Sequence, residues 1–297
     1  MPADAPAFDL QAHSTHSDGA LPPAEVVARA AAAGVELLAL SDHDTVAGVP
    51  EALAAAREHG LRLSPAAELS SVHGEHEDLH ILGYEIDPSD VGLQAALEDF
   101  RADRGRRILA MADRLRELGF ALDNAAFAGR ESVGRPHLAD AVLAHPDNAG
   151  RLAREGIKGK RELFPPYLVP GAAAYVARSR PTVEEAIDVI HQAGGVAVWA
   201  HPFWDVDDPD EVLRTVRRFA AEGLDGVECF YPEHSRERTQ LLHDACEARG
   251  LLSTGSADFH GPEHEHFNRF RNFELFGLDA RLGPIGAGQP PTRCAPV

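Results

Sequence analysis

The sequence has few of the features that mark secreted or membrane proteins. It contains only three cysteines, Cys229, Cys246 and Cys294, at spacings that match no disulfide framework and no thiolate metal motif. It also lacks an apolar run long enough to cross a bilayer, and its first residues lack the basic and apolar pattern of a signal peptide. We therefore expect a cytoplasmic protein with reduced thiols and no membrane partner.

Positive charge is scarce as well. Lys and Arg total 28 against 47 Asp and Glu, which gives a formal net charge of −19. This balance argues against a surface that binds duplex nucleic acid, because polyanions are repelled at long range, but it says little about a focused pocket for one phosphate. Histidine, in contrast, is abundant. The 16 histidines direct attention to metal chemistry, because imidazole is the commonest ligand of transition metals in proteins.

Short apolar runs alternate with alanine-rich helical patterns along most of the 297 residues, a length that fits one large barrel or two ordinary domains. About seven runs are predicted strands: residues 8–10, 36–40, 62–64 continuing toward 68, 79–84, 195–200, 226–230 and 251–255. The predicted helices are 23–33, 49–59, 182–193, 209–222 and 235–249, each followed by a glycine suited to a left-handed cap. This order predicts a parallel α/β sheet with crossover helices, closed into a barrel whose active site lies at the carboxyl ends of the strands.

One region departs from this alternation. Between residues 93 and 175 no strand is predicted, and apolar residues from Ile108 to Leu118 recur at helical spacing. We therefore expect residues 1–92 and 176–281 to form the barrel and residues 93–175 to form a helical insertion over its mouth. Residues 282–297 are rich in Gly and Pro and are predicted to be a flexible tail.

Six short motifs combine histidines with carboxylates. They are Asp9-Leu10-x-x-His13-Ser14-x-x-Ser17-Asp18-Gly19, Ser41-Asp42-His43-Asp44-Thr45, Ala67-Glu68-Leu69-Ser70, Leu79-His80-Ile81-Leu82-Gly83-Tyr84, Ala200-His201-Pro202 and Gly255-Ser256-Ala257-Asp258-Phe259-His260-Gly261. No single motif is decisive. All six in this order, over nearly the whole chain, resemble the polymerase-and-histidinol-phosphatase (PHP) superfamily.

The resemblance implies a distorted seven-stranded (β/α)7 barrel that holds two or three divalent ions. The implied ligands of the first ion are Gln11, His13, Glu68 and Asp258. Glu68 would bridge to a second ion on His80 and His201, and a third would be held by Asp18, His43 and His260. The expected catalytic group is Asp18, His43, Glu68, Asp258 and His260. Nitrogen and oxygen ligands without thiolate suit manganese, zinc or iron, and the resemblance favours manganese.

Gln11 departs from the family pattern, which normally has a histidine at this position. A neutral amide oxygen is a weaker ligand for late divalent metals than imidazole. We therefore expect the first ion to be bound more loosely than the others, or to be absent.

The substrate is suggested by a more specific resemblance. Gly134-Arg135-Pro136-His137 and the basic pair at residues 160–161 resemble features of PHP enzymes that act on nucleoside 3′,5′-bisphosphates and short 5′-phosphorylated RNA. Arg135 offers a bidentate fork for phosphate, although it could instead pair with a surface carboxylate. The predicted phosphate-binding residues are Arg135, His137, Lys160 and His234.

Two further predictions concern the proton donor and a basic helix face. His234, His201 or a metal-bound water could protonate the leaving alkoxide. Arg101, Arg104 and Arg107 repeat on one face of a predicted helix, where they could steer an anion or solvate that face, and we expect the second.

These observations predict an enzyme that hydrolyses a phosphomonoester of a small nucleotide with a metal-activated water. Two alternatives stay open. The same barrel could act on another small phosphomonoester, such as histidinol phosphate, or on a C–N bond. Alternatively, Gln11 could mark a metal-binding module without catalytic activity.

Overall fold

The structure is a computed structural model that describes residues 6–74, 76–123, 125, 133–204 and 206–287. Residues 288–297 of the predicted tail, including Cys294, lie outside the described residues.

Seven strands form one sheet in chain order. They are β1 (Phe8–Asp9), β2 (Leu37–Leu40), β3 (Arg62–His73), β4 (His76–Tyr84), β5 (Val196–Trp199), β6 (Gly226–Phe230) and β7 (Leu252–Gly255). The last strand returns to the first, because Leu10 N–H donates to the Gly255 carbonyl at 3.2 Å and Ala12 pairs with Phe259. The sheet is therefore nearly closed, as a distorted (β/α)7 barrel requires.

The prediction of an all-parallel sheet is wrong for β4. This strand pairs antiparallel with both β3 and β5, whereas the other neighbours are parallel. The chain between β3 and β4 is too short for a crossover helix and turns back through Gly74, whose φ is +61°. Since β4 runs in the opposite direction, His80 at its middle lies beside Glu68 of β3.

Nine α-helices lie within the described ranges. They are α1 (Pro23–Ala32), α2 (Val49–His59), α3 (Val91–Glu117), α4 (Arg135–Ala144), α5 (Ala149–Glu155), α6 (Lys160–Tyr167), α7 (Val183–Gln192), α8 (Pro209–Ala221) and α9 (Arg236–Glu247). The five predicted helices match α1, α2, α7, α8 and α9 to within two residues. Local chemistry explains some boundaries: Thr182 and Glu185 form a capping box on α7, and Gly60 ends α2 with a φ of +67°. In the same ranges, no helix is both long and apolar enough to cross a membrane.

The long helix α3 joins two hydrophobic cores. Its first half contributes Leu93, Leu97 and Phe100 to the core of the barrel. Its second half packs Ile108 and Met111 into a separate cluster with α4, α5 and α6. Within the described residues, the chain between 93 and 175 contains helices and no strand.

The described beginning of the predicted tail is packed against the barrel. Ile285 is buried, and the Gly286 amide donates to Glu85 Oε1 at 2.9 Å. Arg62 in turn donates to the Gly286 carbonyl at 3.3 Å.

Candidate metal centre and its cavity

The loop after β1 is shaped by hydrogen bonds to Asp42. Its carboxylate accepts from the Ser14 amide and hydroxyl, both at 2.7 Å, and from the Ser17 hydroxyl at 2.6 Å. The loop also needs Gly19, because a Cβ there would lie 2.2 Å from the His13 carbonyl oxygen. These contacts turn the chain so that His13 and Asp18 face the same point, and they give Asp42 a structural role in this loop.

Glu68 lies at the middle of the centre. Its carboxylate is fully buried and contacts four imidazoles: His13 Nε2 at 3.1 Å, His43 Nδ1 at 3.4 Å, His80 Nδ1 at 2.7 Å and His201 Nε2 at 3.3 Å. His80 and His201 are themselves 3.3 Å apart, measured between Nδ1 and Nε2. One carboxylate from β3 thus connects side chains that come from four separate motifs.

A second group surrounds Asp18. Its oxygens lie 3.7 Å from His43 Nε2 and 3.5 Å from His260 Nε2. The His13 and His260 rings stack with centroids 4.2 Å apart. Asp258 links this group to the first, because its Oδ1 lies 3.1 Å from His13 Nε2. The structure therefore brings all the predicted histidine and carboxylate ligands to one place.

The side chains of His201 and Asp258 are held by strained backbone and by buried hydrogen bonds. Their φ angles are +28° and +53°, in the left-handed region that is costly for residues with a Cβ. Tyr231 donates to Asp258 Oδ2 at 2.9 Å, and the His201 amide donates to buried Glu228 at 2.8 Å. Such strain is maintained only where the surrounding contacts determine the geometry, and it is concentrated at functional sites.

The central carboxylates are ionised in spite of their burial. Burial raises the pKa of Glu68, but the charges and hydrogen bonds of the surrounding histidines together outweigh it and hold that pKa well below its usual value. Burial likewise raises the pKa of Asp258, and the charges of His260 and His13 bring it down to about 2. The centre therefore presents carboxylate oxygens with full negative charge.

The histidines of the centre differ in the direction in which their pKa is shifted. Burial lowers the pKa of His43 to about 3, so its ring is neutral and keeps a lone pair for ligation. Burial also lowers the pKa of His201, but its hydrogen bond to Glu68 more than offsets this and raises the pKa to about 9. A metal ion that binds His201 must therefore displace a proton.

The donor set fits divalent metal ions. Buried polar atoms are normally hydrogen-bonded, yet within the described structure several atoms of this centre have ion-pair contacts but no hydrogen bond of normal geometry: His13 Nε2, Asp18 Oδ1, His43 Nδ1, Glu68 Oε2 and Asp258 Oδ1. Atoms offered by His13, Asp18, His43 and His260 all lie within 4.8 Å of one another, and so do those of His43, Glu68 and His80. Nitrogen and carboxylate oxygen in this arrangement are ligands for manganese, zinc or iron.

Gln11 lies at the same cavity and is almost completely buried. Its Oε1 accepts a long hydrogen bond of 3.4 Å from the Ser256 hydroxyl, and its Nε2 has no partner. The amide is therefore placed beside the centre, but its hydrogen bonding is poor.

A cavity of about 190 Å³ opens above the centre, and four arginines line its wall: Arg104, Arg107, Arg135 and Arg178. Three of them, Arg104, Arg107 and Arg178, are buried. The prediction that Arg104 and Arg107 solvate a helix face is therefore wrong. They lie on the apolar side of α3, four residues before Ile108 and Met111, and this spacing was the available signal.

The buried arginines are fixed by defined partners. Arg104 donates to Asp44 Oδ2 at 2.7 Å and to the Ser70 hydroxyl at 2.9 Å. Arg178 donates to the Ser70 carbonyl at 3.0 Å, and Arg107 donates to the Val176 carbonyl at 2.7 Å. Asp44 thus orients a cavity arginine.

Of the four residues predicted to bind phosphate, the structure brings only Arg135 to the cavity wall. His137 accepts from the Gly134 amide at 3.0 Å and so caps the start of α4. Lys160 lies 2.9 Å from Asp140 at the surface. His234 is buried behind Tyr231, with Nδ1 3.0 Å from the Cys229 carbonyl, and lines a different cavity.

Two aromatic residues of the cavity wall, Trp204 and Phe267, were not predicted from the sequence. They line the cavity together with Tyr231, which follows β6, and with the insertion residue Phe164. Isolated aromatic residues in loops carry no periodic signal, so sequence patterns do not separate them from core residues.

Two histidines outside the motifs have surface carboxylates as partners. His76 pairs with Glu211 at 2.7 Å and His191 with Asp225 at 2.8 Å. Neither is part of the cavity wall.

A nearly closed barrel with a histidine and carboxylate centre at one mouth is the architecture of a metal-dependent hydrolase, and comparison with known proteins agrees. Residues 9–162 match the PHP domain family. A 3′,5′-nucleoside bisphosphate phosphatase of Chromobacterium violaceum is 35% identical over 266 residues, which cover 86% of this chain and 87% of the relative. A 5′-3′ exoribonuclease of Haemophilus influenzae is 35% identical over 257 residues, covering 86% and 90%.

A solved structure gives the same result for the fold. An amidohydrolase from Chromobacterium violaceum, determined with bound sulfate and no metal, superposes with a TM-score of 0.78 at 33% identity and covers 89% of this chain and 91% of its own. The chain belongs to the PHP domain family. Within that family it is a metal-dependent phosphoesterase.

Proposed function

We propose that this phosphoesterase hydrolyses a phosphomonoester of a small nucleotide, either a nucleoside 3′,5′-bisphosphate or a short 5′-phosphorylated oligoribonucleotide. One observation carries the proposal: a single cavity joins the metal donor set at its floor to four arginines on its wall. A substrate with more than one phosphate matches this layout, since one phosphate can lie at the metals while another is held by guanidinium groups.

The metal part of the proposal assigns two or three divalent ions, with manganese favoured. Gln11, His13, Glu68 and Asp258 would hold the first ion, His80 and His201 would share Glu68 with the second, and Asp18, His43 and His260 would hold the third. Bound ions of this kind supply an activated water and neutralise charge on the phosphate oxygens.

The protein's own part is to fix this geometry before substrate arrives. Glu68 is the proposed bridge, because it is the carboxylate that reaches the imidazoles of both groups. Tyr231 orients Asp258 by a direct hydrogen bond and leaves the other carboxylate oxygen turned toward His13. Residues held in this way need little reorganisation during the reaction.

Arg135 is the proposed direct phosphate ligand in the insertion. Its guanidinium group lines the cavity, donates to the Leu168 carbonyl at 3.3 Å and lies over the Phe164 ring. His137 would act by fixing the start of the same helix. Lys160 and His234 would act from outside the cavity wall, by adding positive charge or by transferring a proton.

The size of the cavity and the charge of the chain restrict the substrate further. A cavity of about 190 Å³ has room for the phosphorylated end of a nucleotide or of a single strand, and a net charge of −19 disfavours a duplex. Residues 93–175 would act as the lid of this cavity, because they contribute Arg135 and Phe164 to it. A cytoplasmic location completes the proposal. It is supported by Cys229 and Cys246, which are unbonded although their Sγ atoms are 3.7 Å apart.

A second candidate is hydrolysis of a C–N bond, which is favoured by the description of the similar solved structure as an amidohydrolase. The positive charge of the cavity wall weighs against it, because an uncharged amide substrate has no anionic group to place beside the arginines.

Phosphate release from metal-loaded protein tests the proposal. With manganese, release from adenosine 3′,5′-bisphosphate should exceed release from histidinol phosphate by at least about 100-fold, the scale of discrimination by specific polar contacts. Equal rates would overturn the nucleotide assignment. The absence of release from any phosphomonoester, with amide hydrolysis in its place, would establish the second candidate.

A further inference from the structure

Trp204 is an exposed tryptophan at the rim of the metal cavity. Its exposed fraction is 55%, and among the exposed large hydrophobic residues of the described structure it is the only aromatic one. The others are Val91, Leu109 and Leu118, which lie on or next to α3. An exposed indole beside a polar cavity is unusual, because large apolar side chains are normally covered.

A main-chain hydrogen bond and an aromatic contact fix the position of Trp204. It lies in the loop after β5, where its amide donates to the His201 carbonyl at 2.9 Å. Its ring centroid is 5.7 Å from that of Phe267, which is buried and packs in turn against His260 at 5.7 Å. The indole also lies edge-on to the ring of His201, with centroids 6.3 Å apart, so it contacts the metal centre directly as well as through Phe267.

The surroundings identify the kind of group that could cover this ring. The cavity beneath holds cationic guanidinium groups and a metal donor set, which attract phosphate. A group that is both planar and attached to phosphate meets both requirements, and a nucleobase is such a group. Stacking on an aromatic side chain accepts any base, because every base has a π-face.

We propose that Trp204 is a stacking platform for the nucleobase of the substrate whose phosphate lies at the metal centre. The inference rests on the proposed function and deepens it, since it assigns the part of the site that distinguishes a nucleotide from a simple sugar phosphate. Trp204 is a specificity residue in this account. The platform makes no contact with the reacting bond.

The first test compares two substrates that differ only in the base: adenosine 3′,5′-bisphosphate and the corresponding abasic ribose 3,5-bisphosphate. With manganese-loaded enzyme, Trp204→Ala should raise KM for the nucleotide roughly tenfold, the scale of one lost stacking contact, and should leave kcat nearly unchanged. Its KM for the abasic compound should stay that of the wild type. Trp204→Phe is the matched control and should retain most of the affinity for the nucleotide.

The second test is spectroscopic. The chain has two tryptophans, and Trp199 is buried within β5. Mixing metal-loaded wild type with adenosine 3′,5′-bisphosphate in a stopped-flow instrument should quench tryptophan fluorescence within the first turnover. Trp204→Phe, which retains Trp199, should show no such quench.

The outcomes separate the inference from the function on which it rests. If the wild type hydrolyses the nucleotide but Trp204→Ala leaves KM unchanged, or raises KM equally for both substrates, the platform is wrong and the proposed function stands. If the wild type releases no phosphate from the nucleotide, the proposed function is wrong, and the stacking platform that rests on it is wrong as well.

Discussion

Nδ1 of His80 lies 2.7 Å from Oε1 of Glu68, across the antiparallel pair formed by β3 and β4. The pair is offset along the ladder, since Glu68 is opposite Leu82 and His80 is opposite Ser70. The reversed direction of β4 brings His80 to the barrel mouth, where Glu68 already meets His13 and His43. The centre therefore depends on one carboxylate more than on any other group.

Removing the charge of Glu68 should empty much of the centre. Glu68→Gln keeps the volume but loses one oxygen ligand and the negative charge, so we expect at least one ion per chain to be lost and affinity for the rest to fall more than about 100-fold. Metal analysis of dialysed protein measures this. Glu228→Gln is the matched buried control. Within the described residues, Glu228 meets the centre at the His201 amide and the Ser256 hydroxyl. The loss of metal affinity in this variant should therefore be smaller, about tenfold to 100-fold.

Gln11→His should tighten metal binding without changing the fold. The amide has an unpartnered Nε2 and one long hydrogen bond, so replacement by imidazole sacrifices little and adds a stronger ligand. We expect about tenfold tighter binding of the weakest ion in calorimetric titrations with manganese. Unchanged affinity in a correctly folded variant would show that position 11 does not face the metals.

The metal centre was largely predictable because its residues occur in motifs at the ends of apolar runs. Asp18, Asp258 and His260 were predicted to converge although they are separated by up to 242 positions in the chain, and the structure brings them together. Strand periodicity and the glycines after helices likewise located most barrel elements. The direction of β4 was missed, because an alternating pattern identifies a strand but gives no sign of its orientation.

Arg104 and Asp44 form a buried ion pair, and removing the arginine alone should destabilise the protein more than removing both charges. Arg104→Met leaves the Asp44 carboxylate, which is 0% exposed, without its cation, so the free energy of unfolding should fall by about 3–5 kcal/mol. Arg104→Met combined with Asp44→Asn removes the uncompensated charge and should recover more than about 1 kcal/mol. Chemical denaturation of metal-free proteins measures both values. A double variant as unstable as the sum of the single variants would contradict the coupling.

Two glycine substitutions should have opposite effects. Gly19→Ala places a Cβ 2.2 Å from the His13 carbonyl oxygen, so the loop must open, and stability should fall by about 1–3 kcal/mol with loss of metal. Gly105→Ala, in the interior of α3, meets nothing within 4 Å and should raise stability by about 0.5–1 kcal/mol. Thermal unfolding and metal analysis of the two variants check the contrast. Normal metal content in Gly19→Ala would show that the tight turn is dispensable.

The substrate side of the cavity was less predictable than the metal side. Arg135 was identified from a local motif, but Arg178 and Trp204 lie in segments without any pattern. His137 and His234 were predicted to bind the substrate. In the structure each ring is held by a hydrogen bond with a neighbouring main-chain group instead of lining the cavity. Sequence indicates which residue types are present, whereas the contacts that turn a side chain toward a cavity or away from it depend on tertiary packing.

The most direct test of the account is phosphate release from adenosine 3′,5′-bisphosphate, measured on one protein preparation before chelation, after chelation and after addition of manganese. Removal of the ions should lower the rate by at least about 1,000-fold, and manganese should restore it in the wild type but not in Glu68→Gln. Full activity after chelation, or a Glu68→Gln variant as active as the wild type, would contradict a metal centre organised by Glu68.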